Sequence, residues 1–182
     1  MNIAQALFWG QKILQDLSQP KLEAEVLCTA VVGVDRVFLK THPQYPLTQR
    51  QEQQFQTYIR QRASRIPVAQ ILGFQWWNGL QIFVNDQVLI PRDETEVLTQ
   101  HILRYQKKPP ESILDVGTGS GCVAIFLHQK FPDAQVLGVD VSPTALVQAR
   151  KNAAFHQASI TWIRSDLLAN IPSAVHFDLI VA

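Results

Sequence analysis

A strand, a glycine-rich turn and a helix follow one another without interruption in Ile113-Leu114-Asp115-Val116-Gly117-Thr118-Gly119-Ser120-Gly121-Cys122-Val123-Ala124-Ile125. This order puts a tight loop at the carboxyl end of a strand, where open α/β sheets bind their ligands. A second apolar strand, Gln135 to Val139, closes on Asp140. It lies roughly 20 residues further on, where an acid that grips a ribose is expected. A dinucleotide loop reads G-x-G-x-x-G/A. Gly117 and Gly119 fit it, but Cys122 takes the third place and Gly121 comes one residue early. Asp115 stands just before the loop. A carboxylate beside a helix N-terminus repels a pyrophosphate but suits an ammonium or sulfonium. The pattern D-x-G-x-G-x-G therefore favours S-adenosylmethionine over NAD. No Gly-Lys-Ser/Thr follows, so the loop is not a P-loop. The plain alternative is a β-to-α turn without a ligand, and the independent placement of Asp140 argues against it.

The 182 residues suffice for one ordinary domain with or without a small second one. With 47% hydrophobic and 17% charged residues, disorder is not expected. A net charge of +1 leaves no basic stripe for nucleic acid. Arg50, Arg60, Arg62 and Arg65 gather around one predicted helix and read as a solvated face. No apolar run is long enough for a membrane span, and the N-terminus lacks the features of a signal peptide. Cys28 and Cys122 lie in apolar helical stretches and read as reduced core residues, which points to the cytoplasm. The scattered histidines make no metal-binding pattern, so no metal is expected.

Periodicity predicts an all-helical region up to about Ser64. Ile3, Ala6, Leu7, Ile13, Leu14 and Leu17 recur at helical spacing, and Pro20 opens a second helix that Gly33 ends. Asp35 caps a short third segment and Thr48 a fourth. Asn78-Gly79, between Phe74-Gln75-Trp76-Trp77 and Leu80 to Val84, predicts a hairpin with a type I′ turn. Its adjacent tryptophans must face opposite sides. Asp93, Glu94 and Glu96 favour a helix start, whereas Arg92 has no such explanation and is a candidate to lie across the cleft. Ser142-Pro143 begins the helix after Asp140. Further strands are expected at Ile160 to Ile163 and Phe177 to Ala182. The expected fold is α/β, with residues 1–68 a small helical bundle, 69–92 a β-hairpin linker and 93–182 a doubly wound parallel sheet.

Together these segments resemble the glutamine N5-methyltransferases of class I peptide chain release factors, the HemK/PrmC family. The likeness is carried by L-G-F-Q-W-W, I-P-R-D-E-T-E, L-D-V-G-T-G-S-G, V-D-V-S-P, S-D-L-L and F-D-L-I-V. It implies the first half of a class I, Rossmann-like methyltransferase sheet behind a release-factor-binding bundle. Asp115, Gly117, Thr118, Gly119, Ser120 and Gly121 are then expected around the methionine part of the cofactor. Asp140 is expected at the ribose, Val141 also against the cofactor, and Asp166 and Leu167 at the adenine. Many members carry an aromatic at the position of Leu167. Arg92, Glu94, Thr95 and Glu96 are expected over the active site. A monomer at full length, with release factors as partners and without direct nucleic-acid contact, follows from the same likeness.

Members continue from the fourth strand into Asn-Pro-Pro-Tyr, whose acceptors hold the substrate amide. The present sequence stops at Ala182, so no catalytic residue is assigned. The family order places the fourth strand inside the sheet, so here Leu179 to Val181 is expected at an exposed edge or unpaired. The chain is accordingly expected to be a fragment or a poorly stable remnant. The competing functions are a non-catalytic cofactor- and release-factor-binding protein and an amino-group methyltransferase acting on nucleic acid. An NAD-dependent reductase is disfavoured by Cys122.

Overall fold

Local capping chemistry divides the first third of the chain into helices. Asn2 and Gln5 form a capping box that starts α1 (Ile3–Ile13). Pro20 occupies the first turn of α2 (Pro20–Val32), which ends at Gly33 in the left-handed region. Asp35 accepts from the Phe38 N–H to begin α3 (Arg36–Thr41). A second capping box, Thr48 with Gln51, starts α4 (Gln49–Ala63). A five-residue helix α5 (Val68–Leu72), which periodicity does not reveal, closes the unit. The computed structural model describes all residues 1–182 and comprises two units, Met1–Leu72 and Gly73–Ala182.

The first unit has its own core around Ile3, Leu14, Leu27, Leu39, Phe55 and Ile59. The arginine cluster is not simply solvated. The Arg62 guanidinium donates to both oxygens of Glu23 at 2.8 and 3.0 Å, tying α4 to α2. Arg36 similarly neutralises the buried Glu25. The N-terminal ammonium pairs with Glu52.

The second unit begins with an antiparallel hairpin, β1 (Phe74–Trp77) and β2 (Leu80–Phe83). Asn78 and Gly79 both have positive φ, +48° and +77°, as a type I′ turn requires. Trp77 is 1% exposed and Trp76 61%, the alternation expected of a strand with one covered face. Helix α6 (Asp93–Tyr105) follows, with Asp93, Glu94 and Glu96 in its first turn. The hairpin packs within this unit: the Trp77 indole N–H donates to the Arg92 carbonyl.

Four parallel strands then form the main sheet: β3 (Ser112–Val116), β4 (Gln135–Asp140), β5 (Ile160–Arg164) and β6 (Leu179–Val181). Their spatial order is β5-β4-β3-β6. Helices α7 (Cys122–Lys130) and α8 (Pro143–Phe155) make the crossovers. Cys122 to Leu127 are buried, so α7 sits inside the unit. β6 pairs with β3 in register Ile113↔Leu179 to Asp115↔Val181, at the sheet edge, where Ile180 is 54% exposed. Gly138 shows why a strand interior carries a glycine: a Cβ there would lie 2.3 Å from the Trp162 ring. Both cysteines are free and buried. No helix is long and apolar enough to cross a membrane.

Candidate functional site

The loop after β3 turns through Gly117, Gly119 and Gly121, all at positive φ. The Thr118 N–H donates to the Val139 carbonyl at 2.9 Å, holding the turn against the end of β4. Gly121 is required twice over. Its φ is +81°, and a Cβ would meet the Ala149 Cβ at 3.0 Å and the Trp162 ring at 3.1 Å. Asp140 braces the loop from the side. One carboxylate oxygen accepts from the Gly119 N–H at 2.9 Å and the other from the Ser142 N–H at 2.8 Å. Each oxygen keeps a lone pair for a further donor, so the acid remains able to accept two hydroxyls.

Asp115 dominates the electrostatics. It is 4% exposed and has no cationic partner; its carboxylate accepts from the Thr118 hydroxyl at 2.5 Å. Burial pushes its pKa up to about 6. The Thr118 hydroxyl and the Ala124 N–H oppose that shift, and the charge of Asp140 adds to it. Burial also drives the Cys122 thiol up to about 12, so that it stays protonated.

A cavity of about 260 Å³ opens beside these residues. Asp115, Gly117, Thr118, Gly119 and Ser120 form one wall, Pro91, Arg92, Thr95 and Leu98 the other, and Val181 and Ala182 also border it. The Arg92 guanidinium makes no hydrogen bond or ion pair. Arg92, Thr95 and Leu98 recur every third residue and so share a helix face. Glu94 and Glu96 do not border the cavity. Glu94 is exposed, and the Glu96 carboxylate accepts from the Asn78 N–H at 2.6 Å on the hairpin turn. Gly121, Asp140, Val141, Asp166 and Leu167 do not line the cavity. Val141, 59% exposed, follows β4, and Leu167, 69% exposed with φ +47°, lies just beyond β5 beside the exposed Asp166. No group of three or more His, Cys, Asp or Glu side chains is placed to hold a metal ion.

Periodicity missed Leu98 as a cavity residue because it resembles ordinary core. It also missed the buried amides Gln148 and Asn152, whose signal is a polar pair one turn apart in the apolar face of α8.

Residues 5–73 match the family described as PrmC N-terminal domain, and residues 113–182 match Methyltransferase domain. A release factor glutamine methyltransferase of Koribacter versatilis (strain Ellin345) is 38% identical over 100% of this chain and 66% of its own length. One from Chlorobaculum tepidum is 40% identical over 91% of this chain and 60% of its own. The chain belongs to the release factor glutamine methyltransferase family. It spans 60 to 66% of the length of these family members. Among solved structures, the ribosomal protein L11 methylase from Lactobacillus delbrueckii subsp. bulgaricus is 37% identical, with a TM-score of 0.42 over 47% of this chain and 43% of that one. The two family matches fall one in each structural unit, apart from the single residue Gly73. The methyltransferase match begins at Ile113 in β3 and takes in the whole glycine loop.

Proposed function

We propose that the cleft between the glycine loop and α6 binds S-adenosylmethionine, in a protein that methylates the N5 of the glutamine in the Gly-Gly-Gln loop of class I peptide chain release factors. Asp115 carries the cofactor half of this reading. A buried acid without a cationic partner, facing a glycine-lined cavity, suits a ligand that brings its own positive charge. In this reading Asp115 faces the ligand's ammonium, and Gly117 to Gly121 follow its methionine part. The nucleoside part then extends beyond the cavity, past the loop, where Asp140 accepts from the ribose hydroxyls, Val141 lies against the cofactor, and Asp166 and Leu167 border the adenine. Leu167 offers an aliphatic surface, so it contributes less there than a stacked ring.

When bound, the cofactor supplies an electrophilic methyl group on a sulfonium. The protein's task is then to position the acceptor. An amide nitrogen is a weak nucleophile because its lone pair is delocalised, so acceptors aimed at its hydrogens must orient it. In family members those acceptors follow the fourth strand. Val181 and Ala182 occupy that junction here and border the cavity. Arg92 and Thr95 stand on the opposite wall, where they would hold the approaching substrate loop. Support for release factors as the partner comes from the match of residues 5–73 to the PrmC N-terminal domain.

Titration calorimetry with S-adenosylhomocysteine is the test. Saturable one-to-one binding, lost in Asp140→Ala and not reproduced with NADH, is the expected outcome. A folded wild-type chain that does not bind overturns the cofactor assignment. Incorporation of labelled methyl into a release factor, dependent on its Gly-Gly-Gln glutamine, tests the substrate. Binding without incorporation would identify a cofactor- and release-factor-binding protein instead.

A further inference from the structure

Helix α8 turns Ala145, Leu146, Ala149 and Ala153 inward, and two amides share that buried face: Gln148, 6% exposed, and Asn152, 0% exposed. A buried amide is costly unless its hydrogen bonds are made. Asn152 makes three. Its Oδ1 accepts from the Phe83 N–H at 2.9 Å, and its Nδ2 donates to the Phe83 carbonyl at 3.0 Å and to the Ser120 carbonyl at 2.8 Å. The side chain thus pairs with the end of β2 as a neighbouring strand would, and spends its remaining N–H on the glycine loop. Gln148 donates to the Phe83 carbonyl at 2.9 Å and accepts from Asn85, but does not reach the loop.

We propose that Asn152 is a positioning residue that fixes the Ser120 carbonyl to β2, so that the cofactor loop and the hairpin are held as one body. This rests on the S-adenosylmethionine reading above. Three positive-φ glycines leave the loop many conformations, and an external tie removes much of the ordering cost of binding. The opposite end of the hairpin is tied to α6 and its N-cap Arg92, which carry the other wall of the cavity. Trp77 donates to the Arg92 carbonyl at 3.0 Å, and Asn78 donates to Glu96 at 2.6 Å and to Thr99 at 2.8 Å. The hairpin therefore sets the distance between the two walls, with Asn152 as its anchor on the loop side. Only asparagine supplies one acceptor and two donors at this reach. Aspartate keeps the acceptor but turns a lone pair on two carbonyls.

Asn152→Asp and Gln148→Glu in the full chain separate positioning from general packing. Each loses a donor to Phe83, but only the first loses Ser120. S-adenosylhomocysteine affinity, thermal melting and amide hydrogen exchange at residues 117–123 are read together. Asn152→Asp is expected to weaken binding about tenfold or more and to speed exchange in the loop, while β3 and β4 keep their protection. Gln148→Glu is expected to stay within about twofold of wild type. Unchanged affinity in Asn152→Asp overturns the proposal. So does equal weakening in both variants, or loss of protection throughout the sheet. Should the aspartate variant fail to fold, Asn152→Ser is read by the same criteria. Wild type that binds no ligand overturns the cofactor reading and this role together. Wild type that binds, with a variant that binds equally, overturns only the role of Asn152.

Discussion

Asp115 gives the site a definite pH dependence. Its carboxyl titrates near 3.8 when exposed and is pushed up to about 6 by burial. Below pH 4 it is protonated in both folded and unfolded chains and contributes nothing. Between about pH 4 and 6 the folded chain holds the proton more tightly, so stability falls as pH rises, by up to about 3 kcal/mol. Above that window the full cost persists. Urea unfolding of the ligand-free protein at several pH values is expected to show this loss, and Asp115→Asn to remove that component. The ligand's dependence has the opposite sign. An ammonium favours the ionised acid, so S-adenosylhomocysteine affinity is expected to rise from pH 5 to pH 7. A flat profile by calorimetry would separate Asp115 from the amino group. Glycine positions, Asp115 and Asp140 were legible in the sequence because the loop is local. The environment that shifts Asp115 was not, since it depends on burial beneath α7.

The hairpin shows what local chemistry decides and what it leaves open. Asn78-Gly79 specified the turn, and strand alternation put Trp76 and Trp77 on opposite faces, but the burial of Trp77 rather than Trp76 was not legible. The turn's attachment was not legible, because Glu96, Thr99 and Gln100 bond to Asn78 from α6, 18 to 22 residues away. That distant bond also holds the Glu96 carboxylate on the hairpin turn. Asn78→Ala is expected to cost about 2 kcal/mol, from its left-handed φ and from the lost bonds to Thr99 and Gln100. Asn78→Gly relieves the backbone and should recover roughly half. Equal urea midpoints for wild type and both variants would show that the turn is not anchored. Helices with side-chain caps could be placed from sequence. α5 could not, because five residues offer neither a periodic face nor a cap.

The whole chain divides at Leu72, a few residues beyond the boundary at residue 68 expected from helical periodicity, because α5 continues the helical unit. Strand order needed the family resemblance, since periodicity identifies strands but not neighbours. The first unit encloses a complete core, so residues 1–72 alone are expected to be helical and to melt cooperatively by circular dichroism. A non-cooperative loss of signal would show that this core needs the rest of the chain. The sheet is different, for its central strand has partners made at different times. β4 follows β3 closely, but the partner on the other side arrives much later: Ser112 is 66 residues from Asp178, whose carboxylate accepts from its N–H at 3.0 Å. During synthesis the helical core is finished first, then the glycine loop and Asp140, and only afterwards β6. Because Val181 of β6 also borders the cavity, a bound ligand favours the completed pairing of β6 with β3. Cofactor supply in the cell then bears on how much of the chain folds, as well as on how fast any folded molecule works.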